Sequence, residues 1–140
     1  MTTRFLRTTV LPLLIAVVAG CSGPTEPGPT DTGARDAVRA YADAVVRRDW
    51  PAAHARLAPE ARTAWPPAEF ARRGDAYRQK FGFDPTAVHV RTCEERGDDA
   101  TARIDFAGTA AGRHHFKETL TLRRTGGTWG VVLPARFGQR

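Results

Sequence analysis

HHFKETLTLRRTGGTWGVVL, residues 114–133, is the stretch that decides the fold. Phe116, Leu120 and Leu122 recur at even spacing with Lys117, Thr119 and Thr121 between them. Beyond Thr125-Gly126-Gly127 the same alternation returns in Trp129, Val131 and Leu133. A period of two on both sides of a Gly-Gly turn is the pattern of an antiparallel hairpin with one buried face. Its strands are predicted over residues 113–124 and 128–135. Gly130 and Pro134 weaken the ladder of the last strand, which suits an edge or a bent end.

Working outward, the alternation extends upstream. Val88, Val90 and Thr92 share one face of a first strand, and Ala100, Ala102, Ile104 and Phe106 share one face of a second. Arg96-Gly97-Asp98-Asp99 is the turn between them. The segment Gly108-Thr109-Ala110-Ala111-Gly112 lacks the Gly-Lys-Ser/Thr ending of a phosphate loop and reads as another hairpin loop. Ahead of Pro85 the period lengthens. Val38, Tyr41 and Val45, with Ala37 and Ala44 beside them, predict a helix over residues 34–48. Asp49 is placed to cap a second, short helix with Pro51 in its first turn and Trp50, Ala53 and Leu57 inward, which Pro59 ends or bends. Phe70, Gly74, Tyr77 and Phe81 mark a third, in which Gly74 is a close packing point or a weak spot and Gly82 a terminator. The fold class that follows is α+β: three N-terminal helices packed on one face of a curved antiparallel sheet of about four strands.

The front of the chain has a different character. Arg4 and Arg7 form a basic head, and residues 10–19 (VLPLLIAVVA) form an apolar run well short of the roughly 20 residues a membrane-spanning helix needs. Small residues then lead to Cys21, which completes the parts of an export signal. The Val18-Ala19-Gly20-Cys21 end resembles the lipobox of bacterial lipoproteins. That resemblance implies cleavage before Cys21, a diacylglyceryl group on its thiol, and a protein held at the extracytoplasmic face of the cell membrane. Two or three acyl chains, at about 0.8 kcal/mol per buried CH₂, anchor stably where one would not. The segment holds no Arg-Arg pair, so export through the twin-arginine route is not indicated. Residues 22–33 (SGPTEPGPTDTG) carry no bulky apolar side chain and read as a tether of roughly 20 to 35 Å. The predicted organisation is a signal over 1–20, the lipidated cysteine and tether over 21–33, and one domain over 34–140.

The chain has 21 Lys+Arg and 15 Asp+Glu, for a net charge of +6. Residues 1–20 hold two arginines and no acids, so the mature side chains would carry 19 basic against 15 acidic groups, or +4. A mild, dispersed excess outside the cytoplasm argues against a nucleic-acid partner. Contact with anionic headgroups is its natural use if it has one, beside a plain solvated surface. A domain of a little over 100 residues buries roughly 60 to 70% of its unfolded surface. With Cys21 acylated, Cys93 has no partner for an internal disulfide.

The run AYADAVVRRDWPAAHARL (residues 40–57), the helix start Pro67-Ala68-Glu69-Phe70 and the terminal LRRTGGTWGVV (residues 122–132) together resemble nuclear-transport-factor-2-like (SnoaL-like) domains of small bacterial lipoproteins. The resemblance covers nearly everything from Ala34 onward and rests on core and turn positions. It implies a cone in which helices lean on a curved sheet around a cavity. Members of that superfamily include isomerases, dehydratases and cyclases, and many modules without known catalysis.

The chemical inventory is narrow. Ser22 is the only serine and there is no asparagine, so a serine acyl-enzyme or an asparagine oxyanion hole has no material. The four histidines show no zinc-ligand spacing, and neighbouring His114 and His115 point to opposite faces of a strand; no metal and no cofactor is expected. Glu118 stands between Phe116 and Leu120 on the face that should be buried, with His114 on the same face. A carboxylate among apolar groups is a candidate general acid or base, and Tyr41, Tyr77 or His54 could face it with a hydrogen-bond donor. The structural alternative pairs Glu118 with an arginine or a tyrosine hydroxyl at the rim of the core. Catalytic candidates are therefore Glu118, His114 and Tyr41, and cavity candidates Tyr77, His54 and Trp129. Trp50, Trp65 and Trp129 also read as core packing. Cys93 falls on the solvent face of an unbroken strand, so a local irregularity that buries it is expected. The inference from sequence is a non-catalytic, lipid-anchored binding or interaction module for a small apolar ligand or an envelope protein. A proton-transfer enzyme using Glu118 is the alternative, and homodimerisation through the outer sheet face is a third use of the fold.

Overall fold

The computed structural model describes residues 31–109, 111–112 and 114–139. The signal and the Cys21 lipidation site expected from sequence, and most of the expected tether, lie outside the described residues. Four helices come first, α1 (Ala34–Arg47), α2 (Trp50–Ala55), α3 (Pro59–Ala64) and α4 (Pro67–Gln79). Four strands follow, β1 (Ala87–Arg96), β2 (Asp99–Gly108), β3 (His114–Thr125) and β4 (Thr128–Val132), in one antiparallel sheet of order β1-β2-β3-β4. The α+β architecture expected from the sequence is present. The helix count differs: Pro59 opens α3 instead of merely ending α2, because proline is tolerated where a helix's first N–H groups have no partner anyway. No described helix is long and apolar enough to cross a membrane.

The period-two readings translate into burial. Ala100, Ala102, Ile104 and Phe106 of β2 and Leu120 and Leu122 of β3 face the helices and are buried, while Lys117, Thr119 and Thr121 are exposed. Val38, Tyr41, Ala42 and Val45 of α1 and Phe70 of α4 complete the core opposite them. Gly74 is a packing point: a Cβ there would lie 2.5 Å from the Trp50 ring. Gly130 has a similar role, since a Cβ would come within 2.6 Å of the Ala58 backbone. That closeness lets residues 56–58 pair along β4, with Ala58 N–H donating to Val131 O (2.9 Å) and Val131 N–H to Arg56 O (2.9 Å). The outer edge of β4 is thus partly satisfied by the α2–α3 connection. Past Val132 the chain leaves the sheet, three residues sooner than the alternation predicts, because Pro134 cannot donate to the ladder.

The expected irregularity in β1 is a bulge. Pairing with β2 runs from Ala87↔Ala107 to Val90↔Ile104, then resumes at Thr92↔Arg103, so Arg91 and Thr92 are both exposed. Cys93 consequently turns inward, half-buried against the core, and burial pushes its thiol pKa up. Glu95 turns inward too, and its carboxylate accepts from the Ala34 N–H (3.1 Å), the Thr32 N–H (3.0 Å) and the Thr32 hydroxyl (2.7 Å). It supplies the cap that Gly33, at the N-cap position, cannot. Thr32 also accepts from the Trp129 indole N–H (3.0 Å) and Arg124 (3.2 Å), so the contacts of the domain reach back two residues before α1.

Burial alone would raise the Glu95 pKa, but these hydrogen bonds and the Arg124 charge outweigh it and hold the carboxyl below its ordinary range. A lowered carboxyl pKa stabilises the fold above the unfolded value of about 4.3, and that contribution is lost as pH falls through the folded value. Glu95→Gln is expected to lose about 1 kcal/mol at neutral pH in urea unfolding, and the gap from wild type should close in acid.

Candidate functional site

Tyr41 on α1, Tyr77 on α4 and Glu118 on β3 come together in a partly open cleft of about 440 Å³. Each arrives there by the periodicity of its own element. Tyr41 lies on the buried stripe of α1 with Val38 and Val45, Tyr77 lies one turn past Gly74, and Glu118 shares the inner face of β3 with Phe116 and Leu120. Phe116, Leu120, Leu133 and Phe137 form the apolar walls, while Lys80 and Arg136 contribute the only two cations of the lining.

The polar end of this cleft is built from phenols and one carboxylate. The Tyr77 hydroxyl donates to Glu118 Oε2 at 3.3 Å. Tyr41 is 1% exposed yet still lines the cleft. Burial, and secondarily the nearby Glu118 charge, push the Tyr41 pKa far up. Tyr77 is raised further, by burial first and then by Tyr41 and Glu118. Both phenols therefore remain neutral donors beside an acceptor throughout the physiological range. Among the described residues no ion pair engages Glu118, so the tyrosine partner anticipated from sequence is present and the arginine is not.

The other candidates are placed elsewhere. His54 Nε2 donates to the Trp65 carbonyl at 2.8 Å, and its ring packs 5.5 Å from Phe70, away from the cleft. His114 is half-buried with its ring stacked 5.5 Å from Phe83, at the opposite end of β3 from the hairpin. Trp129 is buried, donates to Thr32 and lies under Arg124, whose guanidinium carbon is 5.3 Å from the ring. Trp50 and Trp129 pack in the core as read, whereas Trp65 is half-buried beneath Arg73 at 4.5 Å.

Sequence reasoning missed the tail. After β4 the chain turns back so that Phe137 stacks on Phe70 (5.5 Å, 13° between planes) and leans on Tyr77 (5.2 Å), and Arg73 Nη1 holds its carbonyl at 3.2 Å. The signal was Phe137-Gly138: Gly138 has φ +65°, and a Cβ there would run into the Arg73 backbone. Arg78 was missed as well. It is 6% exposed, donates from Nη1 to Val45 O (2.7 Å) and Val46 O (2.8 Å), and is paired with Asp84 through Nη2. Among the described residues no group of His, Cys, Asp and Glu could hold a metal ion.

Several solved structures share this architecture, two of them as follows. A SEC-C motif-containing protein from Rhodopseudomonas palustris matches with a TM-score of 0.53 and 16% identity, over 69% of this chain and 73% of that one. A Campylobacter jejuni protein provisionally described as an NTF2-like transpeptidase matches with a TM-score of 0.52 and 11% identity, over 71% of this chain and 96% of that one. Likeness at such identities shows fold alone: an α+β fold of helices on an open antiparallel sheet, shared with a protein described as NTF2-like. The chain matches no protein-family model and no curated protein sequence.

Tyr41 and Tyr77 are the only tyrosines in the chain, which makes the cleft accessible to alkaline titration. A free phenol with pKa about 10 is mostly ionised by about pH 11. The folded protein should show no phenolate absorbance there, and the urea-unfolded chain should show two. Because the folded pKa values are raised, the stability linked to them is complete below about pH 10 and is lost as pH climbs toward the folded values.

Proposed function

We propose that this chain is a lipid-anchored, extracytoplasmic module that binds a small, largely apolar ligand in the Tyr41–Tyr77–Glu118 cleft, without catalysing a reaction. The observation that carries the reading is the cleft itself. Aromatic and aliphatic walls with two neutral phenol donors and one carboxylate acceptor at one end are the composition of a site that takes an apolar body and orients one polar group. The Val18-Ala19-Gly20-Cys21 stretch supports the anchor, and the Pro/Gly-rich residues behind it support a domain held near the bilayer. Chemistry at a thiol is disfavoured, since Cys93 is turned inward with its pKa raised by burial. The transpeptidase description belongs to the Campylobacter jejuni protein and is not carried over.

A ligand at about 100 times its Kd stabilises the folded state by about 2.7 kcal/mol, roughly 10 °C or more in Tm for a domain of this size. Screening the purified chain against a panel of hydrophobic metabolites should yield such a shift. Val132→Trp, which fills the cleft wall, should abolish it while leaving the circular dichroism unchanged. No shift across the panel, or one that survives Val132→Trp, counts against the reading. Mass spectrometry of membrane-extracted protein should find a diacylglyceryl group on Cys21, and an unmodified thiol there removes the anchor.

The Tyr77–Glu118 hydrogen bond favours one second reading, a proton-transfer enzyme with Glu118 as base. On that reading a bound carbonyl ligand exchanges its α-protons with D₂O, and Glu118→Gln abolishes the exchange while retaining binding. Absence of exchange in the presence of a bound ketone leaves the binding module standing.

A further inference from the structure

The alternation that sends Ile104 and Phe106 into the core sends Asp105 to the outer face of β2, where a carboxylate should be bathed in water. Asp105 is instead 1% exposed. Arg91 Nη2 donates to its Oδ2 at 2.7 Å, and His115 Nδ1 lies 3.1 Å from both oxygens. Burial works against the charge of Asp105, yet the hydrogen bonds and positive charge from Arg91 and His115 prevail and hold its pKa below the ordinary range. The bulge in β1 is what makes the cluster. It leaves Arg91 outside the ladder and free to reach across to Asp105.

The surroundings of this carboxylate are one-sided in charge. Lys117 stands directly opposite it on β3 and His89 directly opposite on β1, while Arg103 lies two residues before it on β2. Among the described residues neither Arg103 nor Lys117 is in an ion pair; the acids on this face near the other end of the sheet are engaged by Arg123 and Arg96. Arg91, Arg103, His115, Lys117 and Thr119 line one recess of about 610 Å³ on the side of the sheet away from the helices. Three permanent cations and an imidazole thus share a recess with two acids: Asp105, which Arg91 and His115 already engage, and Glu118, which borders the recess while accepting from Tyr77 on the inner face.

We propose that this recess is a binding site for a phosphate group. With Nδ1 held by Asp105, the Nε2 edge of His115 is directed away from the carboxylate, as in sites where a buried acid orients an imidazole toward its ligand. Arg91 spends one Nη2 contact on Asp105 and keeps further N–H groups for an oxyanion, and Arg103, Lys117 and the Thr119 hydroxyl complete a set of donors on three adjacent strands. An oxyanion in the recess relieves the mutual repulsion of Arg103 and Lys117, which among the described residues are in no ion pair. Asp105 is a positioning residue in this site and does not touch the ligand. The phosphate can come from a free phosphate ion or from the phosphodiester of a lipid headgroup, and the two sources are separable by experiment.

The test is titration of the full chain with inorganic phosphate, with glycerophosphoglycerol as a water-soluble headgroup, and with glycerol as a blank, read by calorimetry and by the His115 ring signals in NMR. Binding of at least one phosphate compound is expected, with the tighter of the two naming the source. Arg103→Ala with Lys117→Ala should weaken it about tenfold or more, since two charge-assisted contacts are lost. Arg39→Ala with Arg72→Ala, which removes the same charge from the helices, should leave it unchanged. Asp105→Asn should abolish the ligand-dependent shift of the His115 ring; if that variant does not fold, the Arg103/Lys117 pair carries the test alone. Failure of both phosphate compounds to bind at about 20 mM overturns the proposal. So does an Arg103/Lys117 double variant that binds like wild type, and so does an equal loss in the Arg39/Arg72 control.

Discussion

One extra residue in β1 sets the rest of the domain in place. Because Arg91 and Thr92 together oppose Arg103, every side chain beyond them changes face. Cys93 and Glu95 turn toward the helices, while Arg91 stays outside over Asp105. Glu95 then meets the start of α1, whose first N–H groups have no other acceptor from the N-cap glycine. An unbroken strand would point Glu95 into solvent and leave the first turn of α1 uncapped. The same device therefore joins helix to sheet on one side and gathers charged groups on the other.

α1 is held at its far end by a second charged side chain. Its C-terminal carbonyls at Val45 and Val46 are taken by Arg78, a buried guanidinium on α4. Burial lowers the Arg78 pKa, opposed chiefly by Asp84, and its Nε finds no partner. A cation at the negative end of a helix gains from the macrodipole as well as from hydrogen bonds. The consequence reaches the cleft. Tyr77 precedes Arg78 in sequence, so the turn of α4 that clamps α1 also delivers a phenol beside Glu118, and the clamped helix presents Tyr41 from its middle. Positioning of the two phenols is thus a by-product of how two helices are tied together.

Much of this was legible in the sequence, and the exceptions share a cause. Strands, hairpins, the Asp49 cap, the packing at Gly74 and the inward Glu118 follow from local periodicity and turn chemistry, which the chain reports residue by residue. The bulge was signalled only by a cysteine on the wrong face. Arg78 and Asp105 gave no signal, because an arginine on a helix and an aspartate on the polar face of a strand read as solvated; their burial depends on Val45, Val46 and Arg91, which are distant in sequence. Pro59 was ambiguous, since proline ends one helix and starts another equally well. His54 failed as a cavity residue because its partner, the Trp65 carbonyl, sits at the end of a helix that local reasoning did not find.

The two sites on the sheet are not independent in their construction. Lys117 and Glu118 are neighbours on β3, the first in the outer recess alone and the second at the polar end of the apolar cleft while also bordering the recess, and the register of that strand decides which faces where. A slip of one residue would carry the lysine into the cleft and the carboxylate among the outer cations, destroying both. Register on one side is fixed by the Gly126-Gly127 turn, where both residues have positive φ, and by Gly130, whose lack of a side chain admits the α2–α3 connection alongside Val131. On the other side it is fixed by the long pairing with β2 that runs from Asp99↔Arg123 to Gly108↔His114 without a break. The regular strand thus lies between β2, with which it pairs along its length, and the short edge strand β4, and its regularity is what allows opposite chemistries to be carried on its two faces.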